Sequence, residues 1–219
     1  MNEPKRRGTV YGTLLNHRDA LDALGGAVEL APYKGAPRAP VLYIKPRNAV
    51  IEDGEAIVVP EGVDELEIGA TLGLVIGKTA CRVQEEEALS FVAGYVIVND
   101  VSIPHPSYYR PSLRFKARDT FCPIGPFRSR AALASPDSAD VEVHIDDRVA
   151  HRSNMRELIR PASKLLADVT EFMTLTPGDI LSVGVAAGAP RMRAGQQVSI
   201  RISGLGVLEN PVCQEGGTT

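Results

Sequence analysis

Twenty glycines and sixteen prolines are spread along the 219 residues of the chain, and they set its grain. Proline removes a backbone donor and glycine favours turns, so the intervals between them suit short elements only. Residues 8–16, Val41–Ile44, Glu55–Val59, Thr71–Ile76, Gly94–Val98, Val141–Ile145, Ile180–Val183, Gln197–Ile202 and Val207–Leu208 read as strands. Thr71–Ile76 is almost continuously apolar, the mark of a strand covered on both faces. Val141–Ile145 alternates instead, and Asp146-Asp147 reads as the turn that ends it. Strong helical spacing occurs once, in Leu165, Leu166, Val169, Phe172 and Met173, with Pro161 near the first turn. Asp19–Leu24 and Gln84–Phe91 read as short helices, and the three prolines in 103–114 predict a loop. Many short strands and few helices predict a mainly β, mixed α+β fold, rolled or barrel-like, with short flanking helices. One domain over 1–219 is expected, with residues 1–40 a candidate for a loosely attached N-terminal segment.

Charge narrows the function. Lys and Arg number 24 against 27 Asp and Glu, a net −3, whereas nucleic-acid binders show a basic excess. The wide spacing of Cys81, Cys122 and Cys213 suggests free thiols in a reducing compartment. Met1–Arg7 is polar with no apolar stretch after it, and no run nears the ~20 apolar residues of a membrane span. A cytoplasmic protein that handles a small anionic metabolite is the expectation, with no nucleic acid and no membrane.

Asn99-Asp100 stands at the end of an apolar strand and opens a long loop, a place that suits a catalytic carboxylate or a turn-forming cap. Arg114, Lys116 and Arg118 alternate, so on an extended segment they would share one face and could clamp a carboxylate, or lie solvated. Glu65 and Glu67 could pair on a metal, or sit at the surface. His17 is the best placed of four isolated histidines, and Cys122 reads as packing. No Walker loop, GxGxxG or GxSxG is present.

Several segments together resemble the fumarylacetoacetate hydrolase family. They are Tyr43-Ile44-Lys45-Pro46, Leu74-Val75-Ile76-Gly77-Lys78, Ala93-Gly94-Tyr95, Asn99-Asp100-Val101-Ser102, Lys116 with Asp119 to Pro126, Pro177-Gly178-Asp179 and Glu209-Asn210-Pro211-Val212, in the family's order. Asn16-His17-Arg18, Lys45-Pro46-Arg47-Asn48 and Ser107-Tyr108-Tyr109-Arg110-Pro111 look closest to the N-terminal half, or subunit, of its isomerase/decarboxylase branch in 4-hydroxyphenylacetate degradation. The resemblance implies a β-roll. It also implies decarboxylation of 5-oxopent-3-ene-1,2,5-tricarboxylate and isomerisation of 2-hydroxyhepta-2,4-dienedioate, with a Mg²⁺-type ion on the substrate's 2-oxo acid end.

Carried over, Asp100 matches the metal-binding aspartate and Lys116 the substrate-facing lysine; Lys116, Asp100 and His17 are the catalytic candidates. Lys45, Arg47 and Arg110 are the candidates for binding a di- or tricarboxylate oxo acid. The family's two metal-binding glutamates fall on Gly69 and Thr71, its histidine on Ala20, and its C-terminal Gly-Thr-Pro on Gly184-Val185-Ala186. Ser102-Ile103-Pro104-His105 lacks the family's arginine. One metal carboxylate of three remains, unless Glu65 and Glu67 replace the others. Three readings therefore stand: an active subunit, a catalytically silent partner of a metal-competent paralogue, and an acylpyruvate-type hydrolase. A homo-oligomer or a hetero-oligomer with a paralogue is expected.

Overall fold

A computed structural model describes residues 8–105 and 113–216. Among the described residues, fifteen strands run in chain order. The first eight are β1 (Val10–Leu14), β2 (Val41–Lys45), β3 (Val50–Glu52), β4 (Ile57–Val59), β5 (Leu66–Glu67), β6 (Ala70–Ile76), β7 (Val92–Asn99) and β8 (Cys122–Ile124). The rest are β9 (Arg128–Ser129), β10 (Asp140–Ile145), β11 (Arg148–Asn154), β12 (Ile180–Ser182), β13 (Arg191–Met192), β14 (Gln197–Ile202) and β15 (Gly206–Gln214). Three α-helices accompany them among the described residues: α1 (Arg18–Asp22), α2 (Leu113–Lys116) and α3 (Ala162–Phe172).

The larger sheet has the order β2-β1-β12-β6-β7-β8-β3, with β9 also on β7. Laid flat, its two edges would be about 29 Å apart, at ~4.8 Å per strand. Yet β2 ends at Lys45 and β3 begins at Val50. The chain between them spans at most about 18 Å when fully extended. The sheet therefore curls until its edges approach, which is the β-roll that the family resemblance implies. A second sheet, β11-β10-β14-β15-β4, lies beside it.

β6 and β7 form the spine. Every residue of β6 is buried, as its continuous apolar run predicts. The turn at Asp146-Asp147 joins β10 to β11 with both residues at positive φ. α3 buries Leu165, Leu166 and Val169, each worth roughly 1.5–3 kcal/mol. Asp137 Oδ1, on a neighbouring turn, accepts from the Ala162 backbone amide at 2.7 Å and caps this helix from outside.

One local expectation is corrected. Residues 113–116 form the single turn α2, not an extended segment, so Arg114 and Lys116 part company: Arg114 is exposed and Lys116 is buried. An alternating charge pattern over so few residues cannot distinguish a strand from one helical turn. Gln84–Phe91 is realised as a 3-10 helix, Glu85–Phe91.

Candidate active site

β7 delivers Asn99 and Asp100 to its buried end. The Gly69 amide donates to Asn99 Oδ1 at 3.1 Å, and the Asp100 amide donates to the Gly69 carbonyl at 2.8 Å. These bonds fix the tip of β7 against the start of β6. β2 arrives from the opposite edge of the roll. Tyr43 and Lys45 are two apart on that strand, so both point inward, and the curl aims them at Asp100. α2 adds Lys116.

The result is a buried ion cluster. Lys45 Nζ lies 2.7 Å from Asp100 Oδ1 and donates to the carbonyls of Val101 (2.7 Å), Lys116 (2.8 Å) and Phe121 (2.8 Å). Its three protons thus meet backbone acceptors, and Asp100 Oδ1 faces the ammonium chiefly by charge. Lys116 Nζ donates to Asp100 Oδ2 at 2.9 Å and stands 4.9 Å from the centre of the Tyr43 ring. The Tyr43 hydroxyl donates to the same oxygen.

Burial alone would push the Asp100 carboxyl up, but Lys116 and Lys45 outweigh it and hold the group far below the usual carboxylate range. Burial, with Asp100 beside it, pushes the Tyr43 hydroxyl well above its ordinary value, so it serves as a donor. Burial pulls Lys45 down, opposed by Asp100 and reinforced by Lys116.

Beside the cluster is a cavity of about 40 Å³, lined by Thr13, Glu67, Gly69, Asp100, Ser102 and Lys116, with Ala20 and Ala186 among its apolar walls. Sites that enclose drug-sized ligands run to about 300–1,000 Å³, so this cavity, as the described residues line it, is much smaller than a ligand site of that kind.

Of the residues expected at the site, the structure brings together Asp100, Lys116 and Lys45. The side chain of Lys45 is only 1% exposed, its donors are all engaged and it does not line the cavity, so it is not free to bind a ligand there. His17 is also buried, with Nδ1 2.5 Å from Asp19 Oδ1 and Nε2 3.0 Å from the Asn154 carbonyl; it does not line the cavity. Arg47 is exposed in a separate open groove with Pro46 and Thr176. Arg110 lies outside the described residues. Glu65 pairs with Arg191 and, at 3.4 Å, with Arg193, whereas Glu67 lines the cavity. Tyr43 is the residue that sequence reasoning left without a role; its signal was its spacing of two from Lys45.

The fumarylacetoacetate (FAA) hydrolase C-terminal family matches residues 9–213. The chain belongs to this family. It is 42% identical over 213 residues to the 4-hydroxyphenylacetate degradation bifunctional isomerase/decarboxylase of Escherichia coli, covering 97% of this chain and 49% of that protein. The chain thus spans about half the length of that relative. The crystal structure of 5-carboxymethyl-2-hydroxymuconate delta-isomerase from Mycobacterium smegmatis is 30% identical, with a TM-score of 0.82 over 96% of this chain and 80% of that one. Fumarylpyruvate hydrolase from Pseudomonas aeruginosa, solved with Mn²⁺ and pyruvate, has the same fold at 24% identity, with a TM-score of 0.82 over 95% and 90%.

Its place in the fumarylacetoacetate hydrolase family raises the question of a divalent metal, and the residues present do not fit one. Asp100 has both oxygens engaged by ammonium groups. Gly69 has no side chain, and Thr71 turns its hydroxyl onto the Gly184 carbonyl at 2.6 Å. Among the described residues, no three His, Cys, Asp or Glu side chains gather as a metal site would require.

Proposed function

We propose that the chain is one domain of an isomerase/decarboxylase of 4-hydroxyphenylacetate degradation, working with a paralogous, metal-bearing domain in a homo- or hetero-oligomer. The reactions would be decarboxylation of 5-oxopent-3-ene-1,2,5-tricarboxylate and isomerisation of 2-hydroxyhepta-2,4-dienedioate, in the cytoplasm. The observation that carries this reading is the match of nearly the whole chain to half of a bifunctional relative, joined to a centre whose aspartate is ion-paired with two ammonium groups. Departing CO₂ and an abstracted α-proton both leave an electron pair that must be drained by a strong electrophile. Two ammonium groups held on Asp100 offer no strong electrophile to the cavity, so the sink is assigned to the sister domain.

A second reading has one observation in its favour. Lys116 and Glu67 both line the cavity, an arrangement in which the lysine could hold a substrate carboxylate and a carboxylate could carry the proton. It requires the cavity to open. A hydrolase of acylpyruvate type is less well supported, because Ala20 gives an apolar wall at the position matched to the family's histidine.

The test is to assay both reactions with a paralogue that carries the intact glutamate pair, with and without this chain, at saturating Mg²⁺. The proposal expects the chain to form a complex with the paralogue and to change its turnover. No complex and no change would refute it.

A further inference from the structure

We propose that the ammonium groups of Lys45 and Lys116 take the place of a divalent cation at Asp100, so that the centre is a closed ion cluster that excludes metal. The inference deepens the reading above and rests on it for context, but its test reads metal binding directly, whatever the catalytic role of the chain.

Three features support it. The first is charge: two ammonium groups supply the double positive charge of a divalent ion, one to each oxygen of a carboxylate that is 4% exposed. The second is coordination. Lys45 Nζ sits among four oxygens at 2.7–2.8 Å, three of them backbone carbonyls, which is an all-oxygen surround of the kind a hard cation takes. An ammonium there satisfies the carbonyls of Val101, Lys116 and Phe121, which burial would otherwise leave as unpaired acceptors.

The third is space. Gly69 stands where the family's first metal-binding glutamate falls, and its backbone has closed onto the tip of β7. A Cβ built there would run into the Asp100 carbonyl oxygen and lie 2.9 Å from Asp100 Cβ. The position therefore refuses any side chain without a backbone shift. At the second glutamate position, the Thr71 hydroxyl is committed to Gly184. The centre has been rebuilt as a unit, so restoring one carboxylate does not restore a metal site.

Mn²⁺ alone is the probe. Its binding to the wild-type chain is followed by electron paramagnetic resonance, and thermal melts with and without Mn²⁺ are compared for the wild type and Lys116→Met. The wild type is expected to leave Mn²⁺ free at millimolar concentration and to melt at the same temperature with and without it. Lys116→Met, which frees Asp100 Oδ2 from its ammonium beside the cavity, is expected to lose stability and to regain about 5–10 °C with Mn²⁺ near 100 times its Kd. Saturable one-to-one Mn²⁺ binding by the wild type would overturn the proposal, as would a folded Lys116→Met indifferent to Mn²⁺. If Lys116→Met does not fold under either condition, Lys116→Gln replaces it, and the wild-type titration decides independently. Gly69→Glu is expected to lower the melting temperature and gain no Mn²⁺ site; a gained site would also overturn the proposal.

Discussion

Gly12 faces Tyr43 across the β1–β2 pair, and its missing side chain lets the tyrosine ring lie over β1 and reach Asp100. A Cβ at Gly12 would fall inside that ring. Gly12→Ala should therefore displace Tyr43, break its bond to Asp100 and cost about 1–3 kcal/mol, as overpacking does. Urea unfolding measures the cost, and a double-mutant cycle with Tyr43→Leu measures its origin. If Tyr43 is the cause, most of the penalty disappears in the Tyr43→Leu background; an unchanged penalty would place the cause elsewhere.

Asp100→Asn removes the charge that two buried ammonium groups share. Leaving buried charges without a partner costs about 3–5 kcal/mol, so the variant should unfold at markedly lower urea at pH 7. The sign with pH follows from the depressed carboxyl of the folded state. Asp100 stabilises the wild type fully above its unfolded value near about 4, and that contribution fades as pH falls towards the folded value. The stability gap between wild type and Asp100→Asn should thus narrow on acidification below about 4. A gap that is constant with pH would contradict the assignment.

His151 should make stability fall on mild acidification. Its Nε2 is enclosed without a hydrogen-bond partner, and burial, aided by His17 and opposed by Asp19, pulls its proton affinity below the ordinary value. The unfolded chain then binds the proton first, so stability is complete above about 6.5 and declines as pH drops through that value towards the folded one. Urea midpoints at pH 8, 6.5 and 5.5 should fall more steeply for wild type than for His151→Gln. Parallel curves would exclude this role.

The three cysteines should separate by access. Cys81 is exposed, Cys213 partly covered and Cys122 fully buried. Ellman's reagent should modify Cys81 first and reach Cys122 only as the protein unfolds. Rapid labelling of Cys122 in the native protein would mean that β8 opens readily.

Much of this site was legible because its residue types sit at strand tips. Asp100 follows an apolar strand, and the ordered motifs placed Lys116 beside it. Hydrophobic patterning likewise marked β6 by its continuous run, β10 by its alternation and α3 by its helical spacing. The closure of the roll was not legible, because it depends on which strands neighbour each other: the pairing of β3 with β8 brings the sheet's far edge back to β2. Without that closure, Lys45 reads as a free cation for substrate rather than a buried one among carbonyls. The helical turn of α2 was hidden for a different reason, since four residues carry too little periodicity to reveal their own conformation.

Under the proposed function, this domain carries no chemistry of its own and depends on a metal-bearing counterpart. The most direct measurement is decarboxylation of 5-oxopent-3-ene-1,2,5-tricarboxylate by the purified chain alone at saturating Mg²⁺, beside Lys116→Ala. CO₂ release at the rate of buffer for both proteins is the predicted result. Turnover by the wild type that Lys116→Ala abolishes would contradict the account.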